Sequence, residues 1–310
     1  MLPIGIHPFI GAWLANDLYS APQGERTISA TTLLKSVRQI VLSRRVEDSV
    51  TDLNSLVASR IGTAAHLAIE QTWKSENLPQ ILKKLRLPAD KYVVNPEVVL
   101  EGQVPVYLEQ RREKELAGWI ITGQFDVVFN YQLRDIKLTR AFGIQNKLNE
   151  DKWQLQGAIY KWLFPEIIQD AYMVIEAIAV DWNRNSALSD PSYPRMAWTE
   201  VRLPLQEPVF TEQWLTEKIS LIEKYLNSPQ DDIPECTDEE LWRDAPSWAY
   251  YSNGVVQGRC TKKFQTKQEA DSHLMLKGKG IIEERKGLPK ACGYCLAQSI
   301  CNQYTRMMNE

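Results

Sequence analysis

The sequence lacks the features that mark membrane and secreted proteins. Its 310 residues contain no apolar run of about twenty residues, the length that a helix needs to cross a bilayer. Cysteine is scarce, and none of the five cysteines precedes residue 236. Because that count is odd and no signal peptide is recognisable, we expect thiols that are free or metal-bound, no disulfides, no membrane partner and a cytoplasmic location.

An excess of one charge is also missing. The chain has 36 lysines and arginines against 39 acids, so the molecule as a whole is not a polycation that binds any phosphate polymer. Residues 259–290 differ, with nine basic residues against four acids. Such a segment is either a solvated surface or a groove that follows a nucleic-acid backbone. Repeats, heptads and a Walker A loop are missing too, which excludes a built-in helicase motor.

The most informative segment that is present predicts a β-hairpin carrying two acids and a lysine. Phe125–Phe129 and Leu133–Leu138 are short runs of apolar and β-branched residues on either side of a polar turn. Side chains alternate along a strand, so Asp135 and Lys137 share one face. The hairpin also allows Asp126 to face Asp135.

These residue types are the ones that phosphodiester hydrolysis needs. The reaction requires a hydroxide aimed at phosphorus and a place for negative charge on the leaving oxygen. Magnesium or manganese supplies both and takes oxygen ligands such as aspartate. A neighbouring lysine can orient or deprotonate the water and stabilise the transition state. An Asp-x-Lys sequence alone is more often an exposed ion pair, so further residues must support this interpretation.

Two predicted helices supply such residues. The segment Asn54–Trp73 is rich in alanine and leucine and carries His66 and Glu70 four residues apart, which places them on one helix face. Downstream of the hairpin, an amphipathic helix carries Gln156 and Tyr160 at the same spacing. Both pairs can therefore be presented to one site.

The motifs, in chain order, are Gly62-x3-His66-x3-Glu70, Gly123-x2-Asp126, Asp135-x-Lys137 and Gln156-x3-Tyr160. This series resembles the RecB-like branch of the PD-(D/E)XK nuclease superfamily. The resemblance implies an α/β fold with a restriction-endonuclease-like core, in which a central mixed sheet is flanked by helices. It also implies a hydrolase that cuts DNA with Mg²⁺ or Mn²⁺. One departure is Leu138 after the lysine, where the family often has threonine.

The family's roles carry over to the matching positions. The metal ligands implied by the resemblance are His66, Asp126, Asp135 and the carbonyl of Ile136. The implied catalytic residues are Lys137, Asp126, Asp135, Gln156 and Glu70. Of these, Glu70 is expected to contact the metal ligands more than the metal itself. The expected nucleic-acid contacts are Tyr160, Arg140, Lys147, Lys262 and Lys263.

The cysteines predict a second metal centre. Cys292-x2-Cys295-x5-Cys301 resembles the tail of the iron-sulphur nucleases of this branch, namely the AddB-type subunits and the CRISPR-associated exonucleases. The resemblance implies a [4Fe-4S] cluster, with Zn²⁺ as the alternative. Those relatives take their first cysteine from before the nuclease core, which this chain cannot do. The fourth ligand is therefore Cys260 or Cys236, and we expect Cys260 because it leads into the basic segment.

We expect a helical N-terminal part of the nuclease domain in residues 1–90, a nuclease core in 91–226, and a linker with the cysteine lobe in 227–310. The relatives process DNA ends, so exonuclease action on linear or single-stranded DNA is expected, in phage or bacterial recombination and repair. A separate helicase or single-strand annealing protein is the expected partner. Two alternatives stay open: an inactive DNA-binding or scaffold module, and a zinc-stabilised RNA-processing nuclease.

Overall fold

The computed structural model describes residues 6–16, 24–47 and 52–309. The chain forms two compact units, Met1–Leu34 with Val50–Glu223 and Lys35–Ser49 with Lys224–Glu310. The first unit contains the predicted hairpin, and the second contains all the cysteines. None of the helices in the described ranges is long and apolar enough to span a bilayer.

The helices of the described residues are α1 Pro8–Ala15, α2 Ala30–Leu33, α3 Val37–Ser43, α4 Val57–Lys74, α5 Leu78–Lys84, α6 Ala141–Gln145, α7 Glu150–Leu163, α8 Arg184–Ser189, α9 Pro208–Tyr225, α10 Lys267–Lys277 and α11 Asn302–Asn309. The strands are β1 Thr27–Ser29, β2 Tyr92–Val94, β3 Val104–Leu108, β4 Arg111–Leu116, β5 Trp119–Gln124, β6 Val127–Phe129, β7 Gln132–Thr139, β8 Tyr172–Ala179, β9 Trp198–Pro204, β10 Ser247–Tyr251, β11 Lys262–Phe264 and β12 Ile281–Arg285. Together they make an α/β protein with a central mixed sheet flanked by helices.

The central sheet has the strand order β2-β3-β6-β7-β8-β9. The pairs β2-β3 and β7-β8 are parallel, and the other pairs are antiparallel. The predicted hairpin is confirmed as β6-β7, in which Val127 lies opposite Arg134. Its two turn residues, Asn130 and Tyr131, both have positive φ angles of 49° and 65°, as the tight primed turns of hairpins require.

Helix α7 packs closely on one face of the central sheet. A Cβ added to Gly157 would lie 2.2 Å from the sulphur of Met173, so only glycine lets the helix approach this strand. Met173 and Ile175 alternate with outward residues along β8, and Ile175 pairs with Asp135. Asp135 and Lys137 therefore share one face of β7, as their spacing predicted, and this is the face on which α7 packs. The opposite face is partly covered by α4, which also contacts β7.

The described part of residues 1–90 contains one short strand among its helices. Thr27–Ser29 forms β1, which pairs in parallel with β5 in a second sheet of order β1-β5-β4. Ser29 caps the start of α2, because its Oγ accepts a hydrogen bond from the Thr32 amide at 3.2 Å. The predicted helix at Asn54–Trp73 is observed as α4, preceded by a 3-10 turn over Leu53–Leu56.

The second unit combines a small antiparallel sheet of order β11-β10-β12 with α10, α11 and α3. Tyr250, Phe264 and Ala270 form a buried cluster between this sheet and α10. The sequence placed α3 in the nuclease domain, whereas Lys35–Ser49 belongs to the cysteine-bearing unit. The reason is that α3 buries its apolar residues, among them Leu42, with C-terminal residues of the same unit.

Candidate functional site

The hairpin places its acids around the peptide group of Ile136. The side chain of Asp126 precedes β6, and its Oδ2 accepts a hydrogen bond from the Ile136 amide at 2.8 Å. Asp135, next to it in β7, is only 1% exposed. The ammonium of Lys137 lies 2.6 Å from Asp135 Oδ2, but neither buried oxygen of Asp135 has a hydrogen-bond partner among the described residues.

Helix α4 brings His66 to the same peptide group. Its Nε2 lies 3.0 Å from the carbonyl oxygen of Ile136, and its Nδ1 lies 3.3 Å from Asp126 Oδ1. The structure therefore brings together five residues that the motifs placed in one site: His66, Asp126, Asp135, Ile136 and Lys137. Motifs far apart in the sequence meet because α4 contacts β7.

Sequence reasoning missed a further acid, Glu109, which follows β3. Single ligand atoms of His66, Glu109 and Asp126 all lie within 4.8 Å of one another, as one metal ion requires. The pairing of Leu108 with Val127 explains the position, because it puts the next residue of β3 beside Asp126. An acid directly after a strand was the available signal, but only the strand pairing connects it with the hairpin.

Burial and mutual repulsion perturb the acids of this site. Burial, reinforced by the charge of Asp126, raises the pKa of Glu109 to about 7. Burial also raises the pKa of Asp135, although Lys137 opposes the shift. The pKa values of the two bases in this site, His66 and Lys137, are raised as well. Burial lowers the pKa of Lys137 and of His66, but the neighbouring aspartates outweigh it and leave both raised.

The donor set fits a divalent cation. The carboxyl groups of Glu109 and Asp126 converge with the imidazole of His66. The nearby charge of Asp135 acts on His66, and both buried oxygens of Asp135 lack a hydrogen bond among the described residues. Carboxylate and carbonyl oxygens are the ligands that Mg²⁺ and Mn²⁺ prefer. A bound cation also removes the repulsion that now raises the carboxyl pKa values.

Other predicted site residues lie near this cluster with different surroundings. Gln156 donates a hydrogen bond to the hydroxyl of Tyr160 at 2.8 Å, and both side chains are buried. Tyr160 is only 4% exposed, so the structure places it in the core, away from a strand-binding surface. Glu70 accepts a hydrogen bond from Lys74 at 2.5 Å, and its charge acts on Glu109.

The predicted basic contacts are distributed over both units. Arg140 directly follows β7, Lys147 lies in the turn before α7, and both side chains are exposed. Lys262 and Lys263 belong to β11 in the second unit. There they line a basic pocket together with Arg259, Cys260, Thr261 and Arg285.

The cysteine pocket corrects one prediction. Cys236, Cys292, Cys295 and Cys301 all line one pocket of the second unit, whereas Cys260 lines the separate basic pocket. The fourth thiol beside the C-x2-C-x5-C motif is therefore that of Cys236. The Gln303 side chain holds this loop in place, because it accepts from the Cys236 amide and donates to its carbonyl, both at 2.9 Å.

Burial favours the protonated form of three thiols in this pocket, those of Cys236, Cys292 and Cys295. Burial, together with the neighbouring thiols, raises the pKa of Cys292 to about 11. Burial likewise raises the pKa of Cys295 and Cys236. Four thiols from three segments are a suitable donor set for zinc or an iron-sulphur cluster, and a metal that binds them must displace their protons.

Comparison with known proteins gives only distant matches. No protein-family model and no curated protein matches the chain. Among solved structures, the crystal structure of SSO0001 matches with 17% identity and a TM-score of 0.42, over 71% of this chain and 86% of that one. A phage-related exonuclease from Haemophilus somnus 129PT matches with 14% identity and a TM-score of 0.30, over 67% of this chain and 95% of that one. Scores this low carry no argument, so a function must be argued from the site itself.

Proposed function

We propose that the protein is a metal-dependent nuclease of the RecB-like PD-(D/E)XK type that hydrolyses DNA phosphodiesters. The observation that carries the proposal is the buried Asp135, whose two oxygens both lack a hydrogen bond among the described residues although the Lys137 ammonium lies 2.6 Å from Oδ2. An ion pair that only stabilised the fold would be expected to satisfy both oxygens. The approach of His66 to within 3.0 Å of the Ile136 carbonyl supports the same site.

Mg²⁺ or Mn²⁺ would be held by His66, Asp126, Asp135 and the Ile136 carbonyl. When bound, such an ion acts as a Lewis acid and lowers the pKa of its water. The pKa of Lys137 is raised by the neighbouring aspartates, so in the metal-free protein its side chain is an ammonium. We therefore assign Lys137 to orienting the water and stabilising charge on the phosphate, and not to removing a proton.

The motif order supports exonuclease action on linear or single-stranded DNA in recombination or repair. A separate helicase or single-strand annealing protein would supply the ends, because no Walker A motif is present in the sequence. Arg140, Lys147, Lys262 and Lys263 are exposed and suit contacts with phosphates. Buried Tyr160 is better suited to positioning Gln156, with which it shares a hydrogen bond.

The proposal is tested by incubating the purified protein with linear DNA, circular DNA, single-stranded DNA and RNA, each with Mg²⁺ or Mn²⁺. Lys137→Ala and Asp135→Asn should reduce cleavage on the order of 10²- to 10⁴-fold, since both remove charge needed in the transition state. Binding of DNA should persist. The exposed pair Asp90→Asn and Lys91→Ala are the matched controls and should cut normally.

Each alternative predicts a different result in these assays. Cleavage of RNA alone favours the RNA-processing nuclease. DNA binding without cleavage by the wild-type protein favours the inactive module. Cleavage by Lys137→Ala at the wild-type rate would show that the site is wrongly assigned.

The same proposal includes a structural [4Fe-4S] cluster on Cys236, Cys292, Cys295 and Cys301. Its support is the convergence of four thiols on one pocket and the resemblance of the C-x2-C-x5-C spacing to the iron-sulphur nucleases. Protein purified without oxygen should be brown and carry about four irons per chain. One zinc per chain in colourless protein would favour the zinc alternative.

Cys236 and Cys260 make a matched pair for this test. Cys236→Ser should lose the metal and lower the thermal stability, whereas Cys260→Ser should keep both, because its thiol lines a different pocket. The opposite result would restore Cys260 as the fourth ligand.

A further inference from the structure

Glu109 is the acid of the candidate site that none of the sequence motifs includes. Its backbone has a φ angle of 50°, a left-handed conformation that is unfavourable for a residue with a side chain. Its amide donates a hydrogen bond to the Asp126 carbonyl at 3.0 Å. The left-handed residue and this bond turn the chain out of β3 directly beside the first acid of the hairpin.

The carboxylate of Glu109 is fixed by polar neighbours. Gln124 donates from Nε2 to Glu109 Oε2 at 2.7 Å, and Arg111 donates to Gln124 Oε1 at 3.0 Å. The arginine thus orients the amide, and the amide orients the carboxylate. This chain of hydrogen bonds holds Glu109 close to His66 and Asp126 before any ligand binds.

Two observations indicate that a cation belongs between these groups. Ligand atoms of His66, Glu109 and Asp126 lie within 4.8 Å of one another, and they come from α4, the turn after β3 and the residue before β6. Independently, Asp135 is almost completely buried and neither of its oxygens has a hydrogen bond among the described residues. Its charge acts on His66, and the charge of Asp126 acts on Asp135. When all three carboxyl groups are ionised and His66 is neutral, as a metal-binding imidazole must be, Lys137 is their single cationic neighbour in the described part of the chain and two negative charges are left unbalanced.

We propose that Glu109 is a direct ligand of the divalent cation and completes a position formed with His66 and Asp126. This assignment rests on the proposed nuclease function and adds a ligand to it. One divalent cation matches this imbalance of charge. Removing the Glu109 carboxylate takes away one ligand for the cation and weakens the electrostatic attraction between the cation and the site. The imidazole in the set favours Mn²⁺ over Mg²⁺, because nitrogen is a softer ligand than carboxylate oxygen.

The test is titration of the complete protein with Mn²⁺, by calorimetry or by the electron paramagnetic resonance of free Mn²⁺. Glu109→Gln keeps the size of the side chain and removes its charge, and should weaken Mn²⁺ binding by about 10- to 100-fold, the size of effect seen when groups supporting a metal site are removed. Glu113→Gln, on the exposed part of the neighbouring strand β4, is the matched control and should bind as the wild type does.

Thermal stability distinguishes a metal ligand from a residue that only supports the fold. If Glu109 is a ligand, the metal-free Glu109→Gln protein should be at least as thermally stable as the wild type, because a repelled carboxylate has been removed. Mn²⁺ should then raise the unfolding temperature of the variant less than that of the wild type. Binding of Mn²⁺ by Glu109→Gln within about twofold of the wild type overturns the proposal, since a lost ligand costs more than this. So does a large loss of stability in the metal-free variant.

Cleavage assays on the same preparations separate this inference from the proposed function. Mn²⁺ binding that depends on Glu109, in a protein that cleaves no nucleic acid, supports the ligand and contradicts the nuclease. If the protein cleaves nucleic acid and Glu109→Gln binds Mn²⁺ as tightly as the wild type, the assignment of Glu109 as a ligand is contradicted and the nuclease function is supported. A wild-type protein that binds no Mn²⁺ contradicts both.

Discussion

Asp126 connects the groups of the candidate site through its two oxygens. Oδ1 lies 3.3 Å from His66 Nδ1, whereas Oδ2 accepts the hydrogen bond from the Ile136 amide. One carboxylate thereby fixes an imidazole from α4 and the backbone of β7. The Ile136 carbonyl is held by the same imidazole at 3.0 Å. The metal-free site is therefore organised by contacts among the groups that would bind a cation.

At the residue scale, the raised pKa values predict how metal binding depends on pH. Binding of Mn²⁺ should strengthen from about pH 6 to about pH 8, because Glu109, with a pKa of about 7, and His66, with a raised pKa, must lose protons to bind a cation. Calorimetry in buffers of different ionisation enthalpy should detect the released protons. Glu109→Gln should release fewer, and an unchanged proton count in that variant would contradict the assignment.

The same carboxyl group should make the metal-free protein less stable as the pH rises, whereas metal binding strengthens with rising pH. The folded pKa of Glu109 lies above its ordinary value of 4.5, so its contribution to stability is complete below that value and is lost as the pH rises to about 7. The unfolding temperature in the presence of a chelator should accordingly fall over this range. Glu109→Gln should reduce the fall.

At the scale of elements, two glycines set how closely α7 approaches the strands. Gly157 allows the helix to contact β8, and Gly123 allows β5 to contact the last turns of α7. A Cβ on Gly123 would lie 2.5 Å from Leu163 Cδ1 and 3.2 Å from the ring of Tyr160. The glycine of the Gly-x2-Asp motif therefore has a packing role beside any role in catalysis.

Gly123→Ala should displace α7 and with it Gln156 and Tyr160. We expect a loss of about 1–3 kcal/mol in the free energy of unfolding, the usual cost of overpacking a core. Gly62→Ala is the matched control, because nothing lies within 4 Å of the added Cβ and alanine favours the α4 helix by roughly 0.5–1 kcal/mol. Urea unfolding measures both, and equal effects would contradict the packing argument.

Helix α3 is the element most closely tied to the cysteine pocket. Arg38 is buried and donates to the carbonyls of Gln230 at 3.1 Å and Ile233 at 2.9 Å, next to the loop of Cys236. Ser36 Oγ lies 3.1 Å from the Cys236 sulphur. A short helix of seven residues has little stability of its own, so these contacts keep it folded.

At the scale of the whole molecule, the two kinds of candidate metal site belong to different units. His66, Glu109, Asp126 and Asp135 lie in the first unit, and the four clustered cysteines lie in the second. The second unit is the smaller of the two, and its buried cluster around Tyr250 lies in the sheet, apart from the cysteine pocket. Small units commonly depend on a metal. The consequences of losing each metal should therefore differ.

Loss of the cysteine-bound metal should loosen the second unit selectively. In Cys295→Ser, hydrogen exchange should increase in α3, the loop of Cys236 and α11, while α7 and the central sheet keep their protection. Removing divalent cations from the wild type with a chelator should leave exchange in the second unit unchanged. Increased exchange spread evenly over both units after either treatment would contradict separate roles.

The local patterns of the sequence determined much of this protein. Alternation and turn residues predicted the β6-β7 hairpin and the shared face of Asp135 and Lys137, and spacing by four predicted His66 and Glu70 on one helix face. These predictions succeed because each depends on the geometry of a single strand, turn or helix. The mixed sheet flanked by helices followed from the resemblance and agrees with the strand order observed.

Tertiary structure alone decided the remaining features. Glu109 joins the site through the pairing of β3 with β6, Cys236 lies in the pocket of Cys292, Cys295 and Cys301 through the packing of its loop against α11, and Tyr160 is buried by the close contact of α7 with β5. Each of these depends on segments that are separated in the chain and meet only when their apolar faces are buried together. The sequence contains the side chains for such contacts, but the register and packing that select among them exist only in the folded molecule.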